Sequence, residues 1–221
     1  MLHESRPSRP WLIFDVGQTT MFQRILTERL ALRSLEASDA DTVHAYRADP
    51  EVARYQGWPF SSIDAVRAFL ARQHGTDLFA LNDWFQIGIT LRGTDEVVGD
   101  FGLRARDNDR RQVELGITLA LPFQHRGFGS EALRALLEFL FSQPNTHRIY
   151  CSVDPRNRPC LRLLEKTGLR REAHMIESLW IKGEWADDVV LAILRREWRA
   201  RRPNKAPEPT PGSVTPPATS R

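Results

Sequence analysis

Between positions 124 and 132 the chain reads Gln-His-Arg-Gly-Phe-Gly-Ser-Glu-Ala. Gly127 and Gly129 let the backbone pass close to a ligand. A helix predicted to follow from Ser130 opens with N–H groups that have no partner inside it. Together these dipoles form a nest suited to a phosphate or diphosphate; the plainer alternative is a tight loop that holds nothing. No Gly-Lys-Ser/Thr follows, which excludes a Walker A loop. Gly127-x-Gly129-x-x-Ala132 also fits a dinucleotide fingerprint, with Asp154 after the next strand. Against that reading, Leu121–Arg126 separate the glycines from the preceding strand, and antiparallel strands come before them. His3, His44, His74, His147 and His174 show no metal-ligand spacing. Two cysteines, Cys151 and Cys160, are too few for a disulfide scaffold or a cysteine-rich zinc module.

The periods of the flanking segments say what positions this loop. Leu26, Leu30 and Leu32 alternate with Arg29 and Arg33 in one half-buried strand. Ser38 with Asp41 opens a helix through about Ala48, and Ser61 with Asp64 opens another that stops at Gly75. Trp84–Leu91 and Val97–Arg104 pair as antiparallel strands, and Val113–Ala120 is a further strand. Ser130–Phe141 is a helix with Leu133, Leu136, Leu137 and Leu140 on one side. Arg148–Val153 is a strand, and Pro159–Thr167 a helix ended by Gly168. Arg171–Trp180 and Val189–Trp198 form a closing hairpin around Lys182-Gly183-Glu184, with Trp180, Trp185 and Trp198 packing it. The helix-length connection makes strands 113–120 and 148–153 parallel. The fold class is therefore α/β in the α+β sense. It has a mixed, mostly antiparallel sheet of about 6–7 strands, with helices on both faces and one central parallel pair.

The chain has 221 residues, 41% hydrophobic and 27% charged, as expected for one globular domain. No stretch approaches the ~20 apolar residues of a membrane span, and the apolar run Trp11–Phe14 is too short for a signal-peptide core. The net charge of +3 is misleading. Arg199, Arg201, Arg202, Lys205 and Arg221 against Glu208 place +4 in residues 199–221, which leaves −1 on the rest. The composition gives no sign of a basic stripe on a folded face, so a nucleic-acid partner is not expected; the segment Arg199–Lys205 reads as a solvated terminus. Residues 1–23 read as a weakly ordered extension, with Trp11–Phe14 as a possible edge strand. Residues 24–198 read as the domain, and 199–221 as a disordered proline-rich basic tail.

From about Leu26 to Trp198 the sequence resembles the GCN5-related N-acetyltransferase (GNAT) family, on the pattern Gln124-x-x-Gly127-x-Gly129. It is most similar to the RimJ/RimL-like branch of ribosomal-protein alanine acetyltransferases. Supporting stretches are Thr27–Arg33, Asp49-Pro-Glu-Val52, Glu114-Leu-Gly116, Asn157-x-x-Cys160, Leu164–Gly168 and Gly183-Glu-Trp185. The resemblance implies the acyl-CoA N-acyltransferase fold and acetyl-CoA as acetyl donor. Gln124 belongs to the loop motif, and the amides of His125, Arg126, Gly127, Phe128, Gly129 and Ser130 would hold the diphosphate. Thr118 and Leu119 would pair edgewise with pantetheine, with a register that can shift by one. Asn157 would contact the pantetheine arm, and the amide of Leu119 or Ala120 would meet the thioester oxygen. The partner is an amine acceptor (a protein N-terminus or a small amine), with no membrane partner. The chain would act as a monomer or homodimer in the cytoplasm, where acetyl-CoA is found.

Acetyl transfer to an amine needs a base, an oxyanion donor and protonation of the leaving thiolate. Glu114 is the first candidate base, because it shares a strand face with Gly116 and Thr118. Its alternative is a solvated strand glutamate, and Asp100 and His125 are lesser candidates. Family members often carry a tyrosine seven residues after the asparagine; here that position is Leu164. The branch often has serine where this chain has Cys160, so Cys160 is the candidate acid, or else a small apolar residue at a helix start. Trp58 and Trp84 either line the acceptor cleft or belong to the core. A non-catalytic acyl-CoA-binding regulatory module is the alternative function.

Overall fold

The computed structural model describes residues 22–57, 62–73, 75–79, 83–106 and 110–201. Expectations for Trp11–Phe14, Trp58, Ser61, His74 and most of the two terminal extensions lie outside those residues. Strands β1 (Ile25–Leu26) and β2 (Leu30–Ser34) come first, then helices α1 (Ala40–Ala48), α2 (Pro50–Ala53) and α3 (Ile63–Gln73). Strands β3 (Phe85–Leu91), β4 (Val97–Ala105) and β5 (Gln112–Leu119) follow, then α4 (Phe128–Ser142), β6 (Arg148–Val153) and α5 (Arg158–Thr167). The last elements are β7 (Arg170–Ile181), β8 (Glu184–Leu194) and α6 (Arg195–Ala200).

The strands form one sheet of eight, in the order β1-β2-β3-β4-β5-β6-β8-β7. Every neighbouring pair is antiparallel except β5 and β6. The count exceeds the expected six or seven. One extra strand arises because Leu26 and Leu30 do not share a strand. Thr27 donates its N–H to the Leu30 carbonyl (2.9 Å), and the turn between them folds Ile25–Leu26 back onto β2. Leu26 is consequently exposed rather than inward.

One face of the sheet carries α4 and α5. Leu133, Leu136, Leu137 and Leu140 of α4 are fully buried against Ile87, Ile89, Phe101, Leu103 and Val113. Each such side chain contributes about 1.5–3 kcal/mol relative to exposure. The other face carries α1 and α3, which meet through Val43, Tyr46, Val66, Phe69 and Leu70. That second core is thinner, and the sheet beneath it presents Gln86, Asp100, Gly102, Gly116 and Thr118 instead of large apolar residues.

Several boundaries differ from the sequence expectation for local reasons. Asp39, not Ser38, organises the entry to α1: its carboxylate accepts the Glu36 N–H (2.8 Å), and a 3₁₀ turn at Ala37–Asp39 precedes the helix. Ser62 caps α3 by accepting the Ala65 N–H (3.2 Å). Asp49 caps the short α2, accepting the Glu51 N–H (2.9 Å), with Pro50 in its first turn. Helix α4 begins at Phe128, two residues early, because Gly127 takes a left-handed conformation (φ 83°).

The final strand stops at Leu194, and Arg195–Ala200 are helical, where Val189–Trp198 was expected to be one strand. Glu197 accepts the Leu194 N–H (2.9 Å) and starts that helix. Trp198 therefore leaves the hairpin: it stacks on Phe141 (6.3 Å between centroids) and donates its indole N–H to Glu138 (3.1 Å). Trp180 and Trp185 meet edge to face at 5.4 Å but face solvent. Trp180 belongs to β7, which is exposed along almost its whole length and is interrupted by a bulge between Met175 and Leu179, and Trp185 faces it from β8.

Gly168 ends α5 at φ 115°, with its N–H on the Leu164 and Glu165 carbonyls. A Cβ there would stand 2.3 Å from the flexible Arg201 guanidinium, so backbone strain dominates over the clash. Gly168→Ala is expected to cost about 1–2 kcal/mol and to lower Tm by roughly 3–6 °C, read by circular dichroism during thermal unfolding.

Candidate active site

The site begins where the parallel pair comes apart. Strands β5 and β6 pair only over Gln112–Glu114 and Arg148–Tyr150. Beyond Glu114 no strand of the described residues lies beside the outer edge of β5. The Ala120 N–H donates to the Val98 carbonyl (2.9 Å). By alternation Thr118 and Gly116 also bond toward β4, and Ile117 and Leu119 turn their amide edges to the gap. Both carbonyls on that open edge have side-chain donors. Gln56 Nε2 donates to Ile117 (3.5 Å) and Gln124 Nε2 to Leu119 (2.9 Å). The N–H groups of Ile117 and Leu119 are left facing the gap, and Thr118 contributes its side chain instead.

The glycine loop closes one end of the gap. His125 (φ 59°) and Gly127 (φ 83°) both take left-handed backbone, so the chain turns sharply into α4. Glu131 is the first residue of the helix to find a carbonyl, on Gly127 (3.1 Å). The N–H groups of Phe128, Gly129 and Ser130 have none. Glu131 also fastens the loop to the β1–β2 turn, accepting from Thr27 Oγ1 (2.6 Å), the Arg29 N–H (2.8 Å) and Arg29 Nε (2.7 Å). Burial would raise the Glu131 carboxyl, but these hydrogen bonds hold it below its usual range. Arg29 reaches on to the Arg126 carbonyl (3.1 Å) and lies 4.5 Å from the Phe128 ring centre.

A groove of about 580 Å³ runs along this loop. Gln124, His125, Gly127, Gly129, Ser130, Asn157 and Cys160 all line it, beside Leu119 and Thr118. Arg54, Arg156, Arg162 and Lys166 add positive charge to its walls. Gly129 is where α5 comes closest: a Cβ would be 3.2 Å from Leu163 and 3.3 Å from Leu119. Asn157 caps α5 through Oδ1, which accepts the Cys160 N–H (3.3 Å). Burial pushes the Cys160 thiol up to about 12. Leu164 is fully buried in the core, so the groove has no phenol at that point.

On the α1–α3 side of β5 lies a second cavity of about 440 Å³. It shares Gln56, Ile117 and Thr118 with the groove, so the two spaces meet across β5. Gly102 and Gly116, which are cross-strand partners, form part of its floor. A Cβ on Gly116 would meet nothing within 4 Å. Asp100 is buried beside Thr118. Its Oδ2 accepts from the Tyr46 hydroxyl and from Arg47 Nε (3.1 Å), and Arg47 Nη2 bonds its Oδ1. Burial, then the Asp100 charge, pushes the Tyr46 hydroxyl well up, so it stays a donor. Phe69 and Trp84 supply aromatic wall. From above, Lys182 at the β7–β8 turn bonds the Ala53 carbonyl and the Arg54 carbonyl (3.4 Å), which fixes the segment carrying Gln56.

Glu114 lies at the vertex of the gap but lines neither space. It is held by Arg104 (2.6 Å), Arg106 (3.8 Å) and the Tyr150 hydroxyl (3.2 Å). Arg104 in turn lies 4.7 Å from the Trp84 ring centre, so Glu114 braces the aromatic wall. His125 belongs to the groove, away from the second cavity. Sequence reasoning missed Tyr46, Arg47, Gln56 and Gln86. The available signal was the pair of mid-strand glycines: Gly116 leaves a hollow, and Gly102 makes room for the Trp84 ring that walls it. Among the described residues no cluster of His, Cys, Asp and Glu could hold a metal ion, and no helix is long and apolar enough to cross a membrane.

A splayed parallel pair, an amide-lined edge and a glycine loop opening a helix make a strand edge and a helix N-terminus that can take an extended, phosphate-bearing ligand. The family model for the acetyltransferase (GNAT) domain matches residues 29–170, and the chain belongs to that family. It is similar to an uncharacterized N-acetyltransferase, p20, of Bacillus licheniformis, 32% identical over 80% of this chain and 98% of that one. A GNAT-family acetyltransferase structure from Bacillus anthracis superposes with a TM-score of 0.70 and 28% identity, covering 79% of this chain and 99% of that chain. The spermidine N-acetyltransferase of Vibrio cholerae, solved with CoA and spermine, shares the fold at a TM-score of 0.68 and 23% identity, over 78% of this chain and 99% of that chain. The protein is an acetyl-CoA-dependent N-acetyltransferase, and the groove along the glycine loop fits its donor.

Gly127→Ala forces a side chain into φ 83° and brings its Cβ to 3.3 Å from Arg29 Nη2. It is expected to weaken CoA binding about tenfold or more, measured by calorimetry. Cys160→Ser should retain activity and Cys160→Ala should lose little. With a thiol near 12, iodoacetamide should label Cys160 far more slowly at pH 8 than a free thiol of pKa ~8.5, read by mass spectrometry.

Proposed function

We propose that the protein acetylates a primary α-amine, that of a polypeptide N-terminus or of a small acceptor, by direct attack, with Asp100 as the group that orients the amine and receives its proton. What carries this reading is the junction at Gln56, Ile117 and Thr118, the one stretch where donor groove and acceptor cavity share walls. Bound acetyl-CoA supplies an activated acetyl thioester; the rest of the work falls to the chain. The amides of Phe128, Gly129 and Ser130 hold the diphosphate. The Leu119 N–H, in the groove alone, orients the pantetheine arm. The Ile117 N–H, at the junction, faces the thioester oxygen and stabilises charge that develops there. The Ala120 N–H is already donated to Val98 and does not serve.

Asp100 supports this role because it lines the acceptor cavity and Glu114 does not. Its Oδ1 has a single donor, Arg47, and so keeps a lone pair for an incoming ammonium. Tyr46 and Arg47 fix its position, and Glu114 acts through Arg104 on the Trp84 wall. A proton from Cys160 to the departing thiolate would run uphill, from a thiol near 12 to one near ~8.5. The thiolate instead leaves unassisted and is protonated from solvent. A cytoplasmic location follows from the intracellular supply of acetyl-CoA.

A thiol-release assay with acetyl-CoA and N-terminal peptides tests this assignment. Asp100→Asn should lower kcat/KM about 10²-fold or more, and Glu114→Gln should lower it far less, with CoA affinity unchanged in both. The reverse order would move the base to Glu114.

A further inference from the structure

The acceptor cavity is balanced in charge. Among the described residues its ionisable walls are Arg47, Arg72, Asp83 and Asp100. Arg47 and Asp100 neutralise each other in a pair with almost no solvent exposure. Two charges remain. Asp83 is exposed, and its Oδ1 accepts the Trp84 N–H (2.8 Å). Arg72, in the last turn of α3, lies 5.9 Å from the Phe69 ring centre and pairs with no carboxylate among the described residues. A polycation gains nothing from such walls, because the one anion left over is matched by one cation.

The apolar surfaces complete the picture. Phe69 and Trp84 flank a floor that is open at Gly116, where a Cβ would meet nothing within 4 Å, while Trp84 itself packs over Gly102, 3.0 Å from where a Cβ would stand. Trp84 is held from behind by Arg104, itself fixed by Glu114. A rigid aromatic wall over a glycine floor receives a flat or branched apolar body.

Resting on the reading of this cavity as the acceptor site, we propose that its substrate class is amines carrying a carboxylate beside an apolar or aromatic body. The amine meets Asp100 at the junction, the body lies over Gly116 against Trp84, and the carboxylate is received by Arg72. That carboxylate is supplied either by a free amino acid's own α-carboxyl or by an acidic side chain next to a peptide's first residue. Polyamines are excluded by the same balance of charge.

The test uses the full chain with acetyl-CoA and matched acceptors. Phenylalanine is compared with phenylalaninamide, the peptide Phe-Glu-Ala-amide with Phe-Gln-Ala-amide, and spermidine is run alongside. In at least one pair the acidic member should have a kcat/KM about tenfold higher than its neutral twin, and spermidine should be the poorest acceptor. The pair that responds identifies the source of the carboxylate. Arg72→Gln should collapse that ratio toward one while CoA affinity stays unchanged by calorimetry. Equal turnover within both pairs, spermidine as the best acceptor, a ratio that survives Arg72→Gln, or no turnover of any of them by protein that binds acetyl-CoA would each overturn the proposal. Absence of acetyl-CoA binding would instead overturn the reading of groove and cavity as donor and acceptor sites, on which it rests.

Discussion

The parallel pairing of β5 with β6 stops after three residue pairs, and the rest of the site depends on that interruption. A paired strand offers a ligand no backbone. Once the two strands diverge, the amide edges of Ile117 and Leu119 must find partners or remain unsatisfied. The chain satisfies half of them itself: Gln56 and Gln124 cover the carbonyls, and the donors are left. The exposed edge thereby becomes selective. It presents N–H groups to a ligand rich in carbonyl oxygens, and it does not invite another strand, which would need both kinds of group.

Around that edge the fold works mainly to hold loops still. The glycine loop has no helix beneath it until Phe128, so its shape is set from outside. Glu131 draws Thr27 and Arg29 of the β1–β2 turn against it, and Arg29 reaches the Arg126 carbonyl. The segment after α2 is equally short of local structure and is pinned by Lys182 from the opposite end of the sheet. Both walls of the site are thus held by contacts between residues roughly one hundred or more positions apart. The two sets of contacts meet where Gln56 reaches β5, at the walls that groove and cavity share.

Periodic segments were legible in the sequence because burial on one face imposes the period directly. The leucines of α4, the parallel pair and the loop from Gln124 to Ser130 fall where the residue pattern places them. Errors cluster where a single polar side chain decides the boundary. Thr27 splits one apparent strand in two, Asp39 displaces the expected cap of α1, and Glu197 starts a helix where alternation alone suggested a strand. That Gln124, Gly127, Gly129 and Asn157 line one groove was legible, since glycines and an asparagine cap act through local backbone. The cavity on the other side of β5 was not. Asp100 lay within reach of the sequence as a minor candidate, but its partners Tyr46 and Arg47 sit on a helix more than fifty residues earlier. Only the sheet register brings Gly102 opposite Gly116. Glu114 shares a face with Thr118, as alternation requires, yet alternation says nothing of the guanidinium opposite it on β4.

The outermost strand carries a different burden. Among the described residues β7 ends the sheet and shows solvent Ile176, Trp180 and its neighbour Trp185. A flat rim of that length with such side chains would template fibril growth. The three residues that loop out between Met175 and Leu179 break its repeat, and Glu177 there adopts φ 46°, a shape no straight ladder accommodates. Arg170, Arg171 and Glu172 place charge along the remaining stretch. The irregularity is a guard against polymerisation, and smoothing it would trade a kinked margin for a sticky one.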